Sequence, residues 1–508
     1  MECVLRSCRS SLVEEATAVQ GRSRSVLSRF RDDKSGAIAP IFAGLISFLV
    51  LVTATAVEIG RWAIARNELQ ASMDAGVLAG AAKLQFNMAD KAAAIETAKK
   101  AFQANRSRQR FGADIIESVS FSVEGNSLYA KGSADLETVL GKVVGMDTLP
   151  LLGTTKATSE SAIGSVATIT NSKFELSLML DITGSMCDSA PDLDDAPCTK
   201  GVKLTAMKTA ASDLVKSMLA TDDLKTRVRV AVVPFSDGVR LPALPKLAAA
   251  GLSPAVQTFS ESYKSCDRHG NCATKYNYYY YHPTDCVTER MMGDHKYDDT
   301  APGPGNYVTN FMRRGTSSTD STPVEFGCTL GTSSVIMPLT SNKDALLTTI
   351  TGLAAKGGTA GHLGTAWAWY TLSPNWKNVW AGSTDDPAAY TDKNDKALRK
   401  IAILMTDGDY NNEFSAGGYR TGSWAFSKID NSKTNGSSSE QAQKLCTGMK
   451  KENIEVYTVG YEVSTAAAAF LATCATDAAH AFKADSATEL QAVFQGIGQR
   501  VMSLYLSQ

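Results

Sequence analysis

Two kinds of hydrophobic run divide the chain. From Ala37 to Val57 no charged residue occurs, and an apolar stretch of that length crosses a bilayer as a helix, for which roughly 20 residues are needed. Further on the apolar runs are shorter. Leu176, Leu178, Met179 and Leu180 lie in one, Arg227 to Phe235 is a second, Lys400 to Asp409 (KIAILMTDGD) contains a third and Glu455 to Gly460 is a fourth. Such runs suit strands buried on both faces of a parallel sheet. Between them lie helix-period segments: Val202 to Leu219, Lys343 to Ala355, Ser437 to Lys450, and a last one whose core face is marked by Leu490, Val493, Phe494, Ile497 and Val501. Val335 to Leu339 reads as a short strand. Strands and helices in this alternation predict an α/β fold, a doubly wound, Rossmann-like sheet over residues 171–508.

The interval 59–170 has a different pattern. Leu69, Met73, Val77 and Leu84 fall near helical spacing, so the apolar helix is expected to run on to about Arg108 with its stripe packed on the segment that follows. Ile115 to Val123 and Ser127 to Ala134 read as strands around the turn Glu124-Gly125-Asn126, Val139 to Val144 as a short helix, and Leu151 to Thr170 as extended chain. The expectation is a small, pilin-like α+β spacer without site residues of its own. Within the larger domain the alternation breaks over 252–332. There the sequence turns rich in Tyr, Cys, Gly and Asp, and a loop this long inside a compact domain is functional or disordered. Tyr276, Tyr278, Tyr279, Tyr280 and Tyr281 are either a contact surface or the packing of the insertion itself.

Length and charge add a little. At 508 residues there is room for two or three domains, and a net charge of −1 gives no sign of a nucleic-acid or strongly acidic partner. The tail 1–35 carries Arg6, Arg9, Arg22, Arg24, Arg29, Arg31 and Lys34, against Arg61 and Arg66 on the far flank. The positive-inside bias therefore keeps the amino terminus cytoplasmic and exports the rest. A cleavable signal peptide is the alternative, but the apolar core and its preceding tail are long for one and no small-residue stop follows, which favours an uncleaved anchor at 36–58. Export in turn favours disulfides among Cys187, Cys198, Cys266, Cys272, Cys286, Cys328, Cys446 and Cys474, while Cys3 and Cys8 stay reduced. Neighbourhood suggests Cys187 with Cys198 and Cys446 with Cys474, with the four in the insertion pairing among themselves. Zinc on those four cysteines with His269, His282 and His295 is the competing reading, weakened by the lack of a paired CxxC.

Candidate chemistry sits where the first buried strand ends, in FELSLMLDITGSM. Asp181, Thr183 and Ser185 alternate along a loop at the carboxyl end of a strand, where open α/β sheets carry their sites, and their hard oxygens suit Mg²⁺, Mn²⁺ or Ca²⁺. A plain helix cap is the alternative. An aspartic protease is disfavoured because DITGS has a residue between the Asp and the Thr-Gly-Ser. Thr359 in the glycine-rich loop of LAAKGGTAGHLGTAWAWYTLSP and Asp407 at the end of KIAILMTDGD complete a pattern that resembles the metal-ion-dependent adhesion site of von Willebrand factor A domains. That resemblance implies a divalent cation, Mg²⁺ first, held by Asp181, Thr183, Ser185, Thr359 and Asp407, with Thr183 standing where Ser is commoner. It also implies an open position for a carboxylate of a protein partner. Asp409 reads as a solvated loop residue and His362 as a helix-surface residue. No HExxH, GxSxG elbow or P-loop occurs, which points away from an enzyme. A scaffold with an empty site remains the structural alternative, and a metal-dependent hydrolase the enzymatic one.

The apolar segment carries a second resemblance. Gly36-Ala37 before the span, Glu58 with Gly60-Arg61 at its end, and Leu69-Gln70 followed by Asp74-Ala75 are similar to the amino-terminal segment of TadG-like proteins of tight-adherence (Flp) pilus assembly, to about residue 83. A processed pilin would carry Glu five residues after its cleavage glycine, and counting from Gly36 that place is Ile41. The resemblance thus implies a bacterial inner-membrane protein, single-pass, with an assembly or adhesion role and pilin or another pilus component as partner. A reporter active only outside the cytoplasm is expected to be active when fused after Gln508 and silent when fused before the span; the reverse pattern would overturn this topology.

Overall fold

The structure is a computed structural model that describes residues 38–502, apart from 87–89, 126, 153–161, 169–171, 188–196, 292, 316, 320–327, 329, 381–385, 392–396, 422–428 and 431. The basic tail with Cys3 and Cys8 lies outside the described residues, as do parts of the extended stretch and of the insertion.

Helix α1 spans Ile38–Phe86. Its first half exposes Ile41, Phe42, Leu45, Leu49 and Val52, and among the described residues it is the one helix long and apolar enough to cross a membrane. Its second half buries Leu69, Met73, Val77, Ala81 and Leu84. The expected continuation to Arg108 does not occur. A second helix, α2 (Lys91–Arg106), starts afresh at Asp90, whose side chain accepts from Ala93 N at 3.2 Å. It folds back antiparallel, Gly76 facing Ala98 and Gly80 facing Ala94. The physical reason is that the apolar stripe needs partners, and a straight helix cannot supply them to itself; Ala94, Ala98 and Phe102 do.

The other wall of this small core is an antiparallel sheet of β1 (Ile115–Glu124), β2 (Ser127–Glu137), β3 (Thr148–Leu152) and β4 (Ala162–Thr168), with β2 in the middle. Phe121, Leu128, Ala130 and Leu136 close it against α1. The predicted extended chain from Leu151 thus resolves into two strands. The predicted short helix is a 3₁₀ turn, Gly141–Val144.

The larger domain holds a six-stranded sheet: β5 (Lys173–Asp181), β6 (Val228–Phe235), β11 (Met337–Thr340), β12 (Leu398–Thr406), β13 (Glu455–Tyr461) and β14 (Ala481–Ala484). Their spatial order is β11-β6-β5-β12-β13-β14, so in chain order of these six the sheet runs 3-2-1-4-5-6, the doubly wound arrangement. All neighbours are parallel except β11, which lies antiparallel at the edge. Helices α3 (Val202–Met218), α6 (Lys343–Gly352) and α10 (Ala487–Val501) form one layer, and α7 (Gly361–Leu372), α8 (Ser438–Lys451) and α9 (Thr465–Cys474) the other. The short α4 (Asp222–Arg227) leads into β6. Every residue of α7 is buried, because Gly364 lets it sit against Phe235 and Met179 of the sheet while Trp367 packs edge-on to Trp376 and Trp380. His362 is therefore an interior residue, 1% exposed, and not on a helix surface.

The insertion is not a structureless loop. With β7 (Val239–Arg240) and α5 (Ala243–Ala250) leading in, β8 (Gln257–Cys266), β9 (Cys272–Arg290) and β10 (Val308–Gly315) build a second antiparallel sheet. Strands β8 and β9 extend as a hairpin closed by the Cys266–Cys272 disulfide. Its tyrosines divide: Tyr276 and Tyr278 are more than half exposed, whereas Tyr281 is buried and packs edge-on to Tyr419 at 5.0 Å. Cys187–Cys198, Cys286–Cys328 and Cys446–Cys474 are also bonded. His282 lies 2.9 Å from Ser317 O and His295 beside Asp298, and no metal-holding group of His, Cys, Asp and Glu forms among the described residues.

A Cβ added at Gly80 would lie 2.7 Å from Ala94 O, backbone that moves only with the whole of α2. Gly80→Leu is expected to destabilise the spacer by about 1–3 kcal/mol, read as a lower melting temperature of the full chain in detergent. Gly60→Leu, with nothing within 4 Å, should melt like the wild type.

Candidate functional site

Strands β5 and β12 pair in parallel at the point where the sheet changes direction. Asp181 is the last residue of β5 and Asp407 follows the last of β12, so two carboxylates emerge side by side at the carboxyl ends, in the crevice a doubly wound sheet offers to ligands. Asp181 is fully buried. Its Oδ1 accepts from Thr183 N at 2.8 Å, and its Oδ2 from Thr406 Oγ1 at 2.6 Å. The Thr183 hydroxyl lies 2.8 Å from that of Ser185, which donates to Asp407 Oδ1 at 2.6 Å. Four of the five predicted residues thus form one chain of oxygens, and exposed Ser185 marks its opening to solvent.

Thr359 comes from a third loop. Lys356 N donates to Ile182 O at 2.9 Å and Gly184 N to Gly357 O at 2.8 Å, which lays this loop along the Asp181–Ser185 turn. Gly357 has φ of +88°, a left-handed conformation that favours glycine. Thr359 N donates to Asn411 Oδ1 at 3.1 Å, and Thr359 O accepts from Asn411 N at 2.9 Å. A Cβ added at Gly408 would lie 4.0 Å from both Thr359 Oγ1 and Ser185 Oγ, so the two hydroxyls flank the same point. The Cys187–Cys198 bond braces the arrangement from outside: Cys198 and Ala355 exchange backbone hydrogen bonds of 2.9 and 2.8 Å just before the Thr359 loop.

Sequence reasoning missed Lys203. From the first turn of α3 its ammonium donates to Asp407 Oδ2 at 3.1 Å and reaches Glu462 Oε2 at 3.4 Å. Nothing in the sequence marks it apart from its place on the helix after the loop. Thr406 was missed as well, although a hydroxyl directly before Asp407 was a readable signal. Asp409 is exposed, with Ser464 Oγ at 3.4 Å. His362 lies away from this chain of oxygens, its Nε2 2.9 Å from Glu289 Oε1 and its Nδ1 2.6 Å from Ser438 Oγ.

The electrostatics follow from burial. Desolvation first, and the neighbouring Asp407 charge second, push the Asp181 carboxyl up to about 7. Burial alone would lower the Lys203 ammonium, yet the attraction of Asp407 and Glu462 holds it above its usual value. Asp181 therefore binds its proton more tightly folded than unfolded, where the ordinary value is 3.8. Its contribution to stability is undiminished below that value and is lost as pH rises towards 7. Without divalent cations, the stability difference between wild type and Asp181→Asn is expected to shift against the wild type by on the order of 1–3 kcal/mol between pH 4 and 7, measured by paired thermal melts. A pH-independent difference would refute this.

Residues 36–83 match the family model described as putative Flp pilus-assembly TadE/G-like. No curated protein matches the chain. Among solved structures it is similar to the pilus adhesin SpaC from Lactobacillus rhamnosus GG, at 11% identity and a TM-score of 0.32, covering 77% of this chain and 34% of that one. It is also similar to the vWF domain of the type V pili tip protein Mfa5 from Porphyromonas gingivalis, at 13% and 0.30 over 65% and 95% of the two chains. A third is proximal thread matrix protein 1 from the mussel byssus with a zinc-occupied MIDAS motif, at 12% and 0.29 over 66% and 48%. This chain thus spans about a third of SpaC's length. At such values the superpositions carry no argument, and the fold rests on the strand order itself. The chain joins an amino-terminal segment that matches a TadE/G-like family model to a doubly wound α/β domain.

Proposed function

We propose that Asp181, Thr183, Ser185, Thr359 and Asp407 hold a divalent cation, Mg²⁺ before Mn²⁺ or Ca²⁺, and bind through it a carboxylate of a protein partner. The observation that carries this reading is the pair of carboxylates linked through hydroxyls at the sheet's switch point, with an ammonium already resting on one of them. The donor set fits a hard cation. Its atoms are all oxygens, two of the residues are acidic, and burial first, with the Asp407 charge second, keeps a proton on Asp181 up to about neutral pH when no cation is there. Lys203 stands where positive charge is wanted. When bound, the ion supplies a Lewis-acidic position that a neutral hydroxyl set leaves open to an incoming carboxylate.

The chain's own residues do the rest. Thr406 and the Thr183 amide fix the Asp181 carboxylate, Ser185 faces solvent where a partner would approach, and the Gly357 turn delivers Thr359. A binding role is favoured over catalysis because His362, the histidine nearest Thr359 in sequence, is held inside the fold by Glu289 and Ser438. With α1 as an anchor and the amino terminus cytoplasmic, the domain would be presented outside the inner membrane of a bacterium, to pilin or another pilus component, in pilus assembly or adhesion.

The expected outcome is that Mg²⁺ or Mn²⁺ raises the melting temperature of the wild-type protein and leaves Asp181→Ala unmoved. The variant is expected to stay folded: truncating the buried Asp181 takes the acceptor from the Thr183 amide and the Thr406 hydroxyl, a cost of about 1–3 kcal/mol each at most, and also removes a carboxyl crowded by Asp407. Capture of a pilus component should drop at least about tenfold in Asp181→Ala, the scale of one lost charged contact, and should be chelator-sensitive in the wild type. Undiminished capture by Asp181→Ala would leave the domain a scaffold.

A further inference from the structure

The segment 138–149 lies along α1 at the level of the apolar span, and several of its backbone polar groups are turned inward, while the side chains of Lys142 and Asp147 stay exposed. Glu58 Oε1 accepts from Val139 N at 2.7 Å and Leu140 N at 2.6 Å, while its Oε2 accepts from Arg61 at 2.9 Å. The turn closes on itself: Met146 N donates to Gly141 O at 3.0 Å, Gly145 N to Lys142 O at 3.3 Å, and Thr138 Oγ1 to Met146 O at 2.5 Å. Beside Lys142 and Asp147 it shows three apolar side chains outward. Val139 is 64%, Met146 52% and Leu140 41% exposed. Between turn and helix runs a groove of about 290 Å³ lined by Val50, Leu51, Thr55, Leu140, Met146 and Leu149.

The height of this turn can be read along the helix. Glu58 to Leu51 is seven residues, about 10 Å of rise, which is less than half of a hydrocarbon core of roughly 30 Å. On the other side of Glu58, Trp62 donates from its indole to Pro150 O at 2.8 Å and carries Arg66 over its ring at 5.2 Å. An amphipathic ring flanked by arginine suits a headgroup boundary. Lys142, half-exposed on the same turn, pairs with the half-exposed Glu137 Oε2 at 3.5 Å, and its long stem lets that ammonium stay in the polar boundary while the turn sits lower. Non-helical backbone survives at membrane depth where its polar groups are satisfied from within, and Glu58 with the closed turn provides that.

We propose that residues 139–146 form a lipid-seated ledge: Val139, Leu140 and Met146 and the groove behind them take acyl chains of the bilayer that α1 crosses. The spacer then meets the membrane at two points, helix and ledge, and a body held at two points keeps its tilt where one held by a single helix swivels. The ledge rests on reading α1 as a membrane span.

The test uses the full chain in nanodiscs of phosphatidylcholine with or without acyl-chain bromination. Val139→Trp and Met146→Trp each add an indole at an exposed position. Glu124→Trp is the control, since the neighbouring Leu128 packs at Gly80, 22 residues and about 33 Å beyond Glu58 along the helix. Brominated lipid is expected to quench the added fluorescence of both ledge variants and to spare that of the control. Equal quenching in all three, or none in the ledge variants, overturns the ledge. An alkaline wash of native membranes separates the two readings: release of the chain overturns the span and the ledge with it, whereas a retained chain with unquenched ledge variants overturns the ledge alone.

Discussion

Two strands that lie side by side although Asp181 and Thr406 are 225 positions apart in sequence fix the functional end of the molecule. The register of Met179 against Leu404 obliges Asp181 and Asp407 to emerge next to each other. The sheet is buried on both faces by helices, so no slip of one residue can relieve that crowding without turning apolar side chains into the wrong layer. The fold thus imposes a concentration of negative charge at one place, and the surrounding groups answer it. A threonine hydroxyl, a serine hydroxyl and a lysine each sit on one of the carboxylate oxygens.

The same end is tied to distant parts of the chain. Glu289 belongs to the insertion, yet it accepts from Phe414 N in the loop beyond Asp407 and from Asn435, and meets His362 of the central helix. Both members of this pair are buried, so removing either one strands a polar group in the interior, which is costly. The insertion is therefore a structural member of the domain at its base, while the hairpin of β8 and β9 leaves it with Tyr276 and Tyr278 facing water.

The sheet was legible because apolar runs such as Leu176–Leu180 and Ile401–Met405 admit few other roles at that length. The short edge strand Ala481–Ala484 was not; its four residues carry little pattern and are held by pairing with β13. The site was legible where ligands follow strand ends, as with Asp181 and Asp407. Lys203 escaped because a lysine in an amphipathic helix looks solvated until the tertiary fold sets it over a carboxylate. His362 misled for a related reason: in a helix apolar on nearly every side, one polar residue suggests an outer face, but the partner that satisfies it comes from 73 residues away. The helical hairpin at Gly80 was hidden because the stripe on α1 says that something packs there and not what.

The four disulfides give the chain a property of another kind. Cys266–Cys272 closes over the exposed turn Asp267–Asn271, Cys187–Cys198 over residues 188–197, and Cys286–Cys328 over a much longer stretch. A backbone cut within any of these segments opens a ring and releases no fragment, so the two ends stay bonded and the flanking hydrogen bonds can hold them in register. Loops that face the surroundings can thus be nicked at Arg268, for instance, without parting the hairpin from the domain. Such a wound stays invisible by size until the protein is reduced.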